Sequence, residues 1–231
     1  MSGTNSNRIP VYLEIGSKRT FAAALDWPGW SRGGRDEASA LQALLDYGKR
    51  YKSAIASARL GLQPPRDAGA FQIVERIKGD MTTDFGTPGC IPASDSSPVH
   101  EAELRRLQAI LRASWRVFDQ IAETAKGRTL RLGPRGGGRS RDKIIEHVLG
   151  AEHAYGRSLG VNLPTLATTF TPAELDEFRK GVLQAIAASA HGEFPEQGPR
   201  GGKRWPARYF VRRAAWHILD HAWEIEDRLE A

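Results

Sequence analysis

The stretch SSPVHEAELRRLQAILRASWRVFDQIAETAKG, residues 96–127, decides the fold of the second half of the chain. Ser97 stands where a helix N-cap belongs and Pro98 at the first helical position. Leu104, Leu107, Leu111 and Phe118 then recur on one helical face. Three further segments repeat this pattern. SRDKIIEHVLGAEHAYGRSLG, residues 140–160, turns Ile144, Val148 and Ala151 inward. TPAELDEFRKGVLQAIAASAHG, residues 171–192, opens on a capping box from Thr171 to Glu174 with Pro172 between them. WPARYFVRRAAWHILDHAWEIEDRLE, residues 205–230, has Pro206 near its start. Four amphipathic helices of this length predict a four-helix bundle over residues 97–231.

Upstream the pattern changes. GTPGCIPASDSSP, residues 86–98, is dense in proline and glycine and predicts a linker. Before it, VYLEIGSKRTFAAALDW, residues 11–27, carries two β-prone runs split by Gly16, Ser17 and Lys18, a hairpin pattern. PGWSRGGRD, residues 28–36, predicts a turn-rich connection. Residues 36–61 show Ala40, Leu41, Leu44 and Leu45 at helical spacing and end at Gly61; AFQIVERIKGD, residues 70–80, supplies a last strand. The expectation is an α+β chain: a small ββαβ domain over residues 1–92, then the helical bundle.

Composition narrows the class. Hydrophobic residues at 40% and charged residues at 26% are ordinary for a globular protein. No apolar run reaches the roughly 18 residues of a membrane span, and the polar N-terminal stretch lacks a signal core. The single cysteine, Cys90, forms no internal disulfide, which fits a reducing compartment and predicts a cytoplasmic protein.

The residues able to do chemistry are few. In RRAAWHILDHAWEIEDR, residues 212–228, His217 and His221 stand four apart, about 40° around a helix axis. They can project to one side as a structural pair, or as two ligands of a metal that binds nitrogen at about 2.0–2.1 Å and takes a third ligand from another helix. His147 is the best third candidate, on the same stripe as Ile144, Ala151 and Ala154. His153 lies about 120° off that stripe, and His100 and His191 sit at helix ends.

KIIEHVLGAEHAYGRSLG, residues 143–160, and the residue 212–228 motif together resemble the DinB-like family of four-helix bundles, which has a histidine early in its second helix and a His-x-x-x-His pair in its fourth. The resemblance spans roughly residues 97–231. It implies that His147, His217 and His221 hold a divalent metal (zinc foremost, nickel or another transition metal as alternatives) with one coordination position open. Some members of that family resemble transferases or isomerases that use a low-molecular-weight thiol. FAAALDWPGWSRGGRDEASALQAL, residues 21–44, is similar to the HicB-like antitoxin fold through a strand, a Pro-Gly turn and an acidic helix start. No DNA-reading element accompanies it, so the expected role is packing or homodimer contacts.

Two near-repeats remain, GPRGGGRSR at residues 133–141 and GPRGGKRWP at 198–206. Residues 126–141 and 198–213 together carry twelve arginines and lysines and no acid, more than the whole chain's net charge of +6, so the positive excess is local. In an up-down-up-down bundle both loops meet at one end, forming a rim of Arg135, Arg139, Lys203 and Arg204 about 10–17 Å from the histidines at 1.5 Å per residue. Such a rim suits a small anionic molecule with its other end at the metal, and Arg213, one turn before His217, is a further anchor. Glu224 is placed to orient a histidine or accept a proton. The competing expectation is a non-catalytic protein using the basic loops for nucleic acid or an acidic partner, disfavoured because only Trp205 and Tyr209 interleave them.

Overall fold

A computed structural model describes residues 8–132, 138–166, 170–198 and 201–230. The fold is mixed α/β, a four-stranded sheet followed by long helices, and it divides into two compact units, Met1–Ser94 and Asp95–Ala231. No helix among the described residues is long and apolar enough to cross a membrane.

In the first unit β1 (Ile9–Ile15) and β2 (Thr20–Ala24) form the expected antiparallel hairpin, with Val11 opposite Ala24 and Ile15 opposite Thr20. The turn-rich stretch corrects the reading of residues 28–36. It contains a third strand, β3 (Ser31–Gly34), antiparallel to β2. Ser-Arg-Gly-Gly has no apolar alternation; backbone pairing makes it a strand, and Gly34 is needed because a Cβ there would lie 2.5 Å from Ser39 Oγ. Helix α1 (Glu37–Asp46) starts on a capping box between Asp36 and Ser39. The single helix expected to Gly61 breaks at Tyr47, and α2 (Gly48–Ala54) follows; a Cβ at Gly48 would press on Trp30 and Pro64 at 3.1 and 3.0 Å. Strand β4 (Phe71–Lys78) returns parallel to β1, giving the order β3-β2-β1-β4. A one-turn helix, α3 (Met81–Asp84), closes the unit's regular structure.

The proline- and glycine-rich segment is not a free linker. The carboxylate of Glu14, buried on the inner strand β1, accepts hydrogen bonds from Thr83 Oγ1, the Gly89 amide at 3.0 Å and the Cys90 amide at 2.9 Å, and Glu75 accepts from the Ala93 amide. Further on, Asp95 is fully buried in the second unit, paired through both oxygens with Arg212 at 2.8 Å.

The second unit carries α4 (Glu101–Thr124), α5 (Arg141–Leu159), α6 (Pro172–Ala190) and α7 (Ala207–Arg228). Helix α4 begins three residues later than Ser97 and Pro98 suggest, because Arg208 claims the carbonyls of both, at 2.9 and 3.3 Å, as well as the Glu103 carboxylate. That cluster sets the starts of α4 and α7 side by side. Their ends also meet, where Arg131 donates to the Asp227 carbonyl and Leu130 bridges to Leu229, so the two helices run parallel. Helix α5 runs against both: Arg141 Nε donates to the Ala122 carbonyl at one end, and the Trp205 amide donates to the Ser158 carbonyl at the other. Helix α6 runs against α4, with Arg179 paired to Asp119 and His191 to Glu101.

The order is therefore up, down, down, up, which corrects the expected up-down-up-down. Twelve residues separate α5 from α6. At about 3.3–3.6 Å each they reach past the roughly 29 Å of a 19-residue helix, so nothing forces a reversal there. The core is built on α7, which buries Phe210, Val211, Ala214, Ala215, Ile218 and Leu219 completely. Leu104, Leu107, Leu111 and Phe118 of α4 are buried beside them, and truncating any one to alanine should cost about 2–5 kcal/mol.

Candidate metal centre

Helices α5 and α7, packed antiparallel, bring the three histidines together. Ile144 and Val148 bury one face of α5 and leave His147 half-buried at its edge; on α7, His217 is 6% exposed and His221 half-buried. One ligand nitrogen from each ring lies within 4.8 Å of the others, and His147 Nε2 is 3.1 Å from His217 Nε2. The edge of a tetrahedron with metal–nitrogen bonds of 2.0–2.1 Å is about 3.3–3.4 Å, so this pair already stands at ligand spacing. Without a metal the same 3.1 Å is an N–H···N hydrogen bond, with one ring donating to the other.

The partners of the three rings differ. His221 Nδ1 is 2.7 Å from Glu224 Oε2, and the other oxygen of Glu224 accepts from Arg228 Nη1 at 2.6 Å. A carboxylate on Nδ1 fixes the ring and its tautomer and leaves Nε2 as the free ligand atom, the support metal-binding imidazoles usually have. The hydrogen bond from His221, joined by that from Arg228, holds the Glu224 pKa below its ordinary value despite its burial. His217 departs from the pattern: its Nδ1 is buried with no hydrogen-bond partner.

Charge and burial keep His147 and His217 uncharged. Burial, reinforced by His221, Arg213, His147 and Arg139, pushes the His217 pKa down to about 2. Burial first, then His221 and Arg139, lowers that of His147. Both rings are neutral at pH 7, the state a metal requires. Arg213 lies with its guanidinium carbon 4.9 Å from the Trp216 ring centre and 5.4 Å from that of Tyr155, and Tyr155 is 5.8 Å from the His217 ring. Its Nη1 is buried without an acceptor, so Arg213 holds an unspent donor beside the histidines.

The approach to His147 is a shallow depression of about 480 Å³ lined by Arg139, Lys143, Glu146, His147, Gly150 and Ala151. Arg139 is where a basic rim was expected. Lys143, paired with Glu146 at 2.6 Å, is an addition the loop-based reading missed. Lys203 and Arg204 are not there. Arg204 lies over Phe194 and against Gly160, at the far end of α5, about 20 Å along the helix from His147. The reversed order of α6 puts the two basic loops at opposite ends of the helices. Arg135 lies outside the described residues.

Four further cations of the two basic segments are committed to the fold. Arg208 and Arg212 pair with Glu103 and Asp95, while Arg128 and Arg131 donate to the Glu230 and Asp227 carbonyls at the negative end of α7. His153 is near Thr165 Oγ1 at 3.4 Å, and His191 pairs with Glu101; neither joins the triad. Cys90 belongs to the first unit, and burial with the nearby Glu14 pushes its thiol up to about 12, so it stays protonated at neutral pH.

Comparison with known proteins gives no match. No family model, curated protein or solved structure aligns with the chain.

Two features away from the triad were not anticipated. A groove of about 790 Å³ between α4 and α6 exceeds the depression at His147 but holds charged side chains and no histidine. Beneath it, Glu152 is 1% exposed, accepts from Trp115 Nε1 at 2.7 Å, and has its second oxygen buried without a partner. Burial raises its pKa to about 7 against the opposing charge of Arg179. The sequence carried a signal for it: Ile144, Val148, Glu152 and Gly156 follow one another at four-residue steps along the buried stripe.

Proposed function

We propose that this chain binds one divalent transition metal, zinc foremost, through His147, His217 and His221 in a DinB-like four-helix bundle, and acts on a small anionic molecule as a thiol-dependent transferase or a hydrolase. The observation that carries this reading is the convergence of three imidazoles from two helices within 4.8 Å, with Glu224 holding the third. A metal with three protein ligands and one open position polarises a carbonyl, or lowers the pKa of a thiol or water. The chain's residues supply the rest. Glu224 sets the orientation of His221, and burial keeps His217 and His147 neutral. Arg139 and Lys143 at the entrance, with the unspent donor of Arg213 behind, provide positive charge for a carboxylate or phosphate. A thiol would come from outside, since burial keeps the Cys90 thiol, at about 12, un-ionised at neutral pH. The alternative, a nucleic-acid or acidic-partner binder, loses support because Arg128, Arg131, Arg208 and Arg212 are held by the fold.

Cobalt substitution tests the open position. Metal-stripped protein given Co²⁺ should develop the visible absorption of a four-coordinate site, and dithiothreitol should shift it by entering the open position. A spectrum of six-coordinate cobalt, indifferent to thiol, would contradict this reading.

A further inference from the structure

Arg228, at the last turn of α7, turns each nitrogen of its guanidinium to a different partner. Nη1 donates to Glu224 Oε1 at 2.6 Å, Nε to the Arg131 carbonyl at 2.8 Å and Nη2 to the Arg139 carbonyl at 3.0 Å. The Arg131 amide returns a bond of 2.7 Å to the Arg228 carbonyl. The side chain is only 14% exposed. Gly138 is shaped around it: its φ is +147°, and a Cβ there would lie 2.5 Å from Arg228 Nη2. One planar fork thus joins the carboxylate that holds His221 to the backbone of the residue whose side chain lines the depression at His147.

We propose that Arg228 is a positioning residue that couples His221, through Glu224, to the placement of Arg139, so that a metal and an anion beside it bind interdependently. This rests on the reading of His147, His217 and His221 as a metal site. The mechanism is geometric. A carboxylate shared between His221 and Arg228 has one oxygen for each, so moving Arg228 releases Glu224 and with it the orientation of His221. The same movement frees the Arg139 carbonyl and lets its side chain leave the entrance. Lysine cannot replace the fork: a single ammonium reaches Glu224 or the carbonyls, not all three partners.

The test is Co²⁺ titration of the metal-stripped full chain, read by visible absorption, followed by acetate as the anionic probe. Arg228→Ala should lower Co²⁺ affinity about tenfold or more, the usual effect of removing a ligand's supporting partner, and weaken the acetate response. Arg228→Lys should recover much of the Co²⁺ affinity but not the acetate response, a split that simple loss of stability would not produce. Gly138→Ala, which leaves every side chain of the network present, should shift both in the direction of Arg228→Ala. Circular dichroism of the stripped proteins checks that the helices persist; should Arg228→Ala not fold, Arg228→Gln decides in its place. Co²⁺ and acetate binding unchanged from wild type in the folded variant would overturn the coupling. A wild-type chain that takes up no Co²⁺ would instead remove the metal site on which the coupling rests, and the two failures are told apart by the wild-type titration alone.

Discussion

Replacing Glu152 by glutamine should change how stability depends on pH. The carboxyl is buried between α5 and α4, bonded through one oxygen to Trp115, with its pKa raised from 4.5 to about 7. A raised carboxyl pKa means that the folded state holds its proton more tightly than the unfolded chain. Its contribution is complete below pH 4.5 and is lost as pH climbs through about 7. At 1.36 kcal/mol per unit the loss amounts to about 3 kcal/mol. Glutamine cannot ionise, keeps an acceptor for Trp115, and adds a buried N–H₂ where the second oxygen has no partner, at a cost of about 1–3 kcal/mol. The variant should therefore be less stable than wild type at pH 5 and equal to it or more stable at pH 8. Urea unfolding of metal-stripped protein at both values measures this, and the histidines, common to both proteins, cancel in the difference. The same wild-type-to-variant difference at both pH values would refute the buried proton.

Three further outcomes follow from the packing. Gly150→Ala should stabilise the fold by about 1 kcal/mol, because the glycine is inside α5 and a Cβ there meets nothing within 4 Å; Gly150→Leu should hinder acetate at the cobalt site by filling the depression, read from the same absorption. A fragment of residues 95–231 should unfold in urea as a helical unit, whereas one starting at residue 99 should be about 3–5 kcal/mol less stable, since Arg212 is then buried without Asp95. Arg139→Glu should weaken acetate binding at low salt, and Lys203→Glu should leave it unchanged, a contrast that equal effects would contradict.

The sequence showed the elements better than their arrangement. The hairpin, the α6 capping box and the apolar faces of α4 and α7 depend on local spacing, and they could be read directly. His217 and His221 share one helix, so their common face follows from helical geometry; His147 could be placed by its stripe. Strand β3 could not be read, because Ser31–Gly34 becomes a strand only through pairing with β2. Nor could the reversal of α6, since a twelve-residue connection permits either direction, and that reversal carries Lys203 and Arg204 away from Arg139. The partners that neutralise Arg208 and Arg212 lie more than a hundred positions away in the chain, beyond the reach of any local pattern. Arg228 is a cation at a helix end with no local motif around it; only the meeting of two loop carbonyls with Glu224 gives it a role.

The central claim is that His147, His217 and His221 hold a metal, and elemental analysis of the full chain, prepared without a histidine-rich tag and dialysed free of loose ions, tests it most directly. Wild type should contain about one zinc or comparable transition metal per chain, the capacity of a single three-histidine site. His217→Ala should contain essentially none, and His153→Ala, altered outside the triad, as much as wild type. Metal absent from wild type after incubation with Zn²⁺, or retained equally by both variants, would contradict the account.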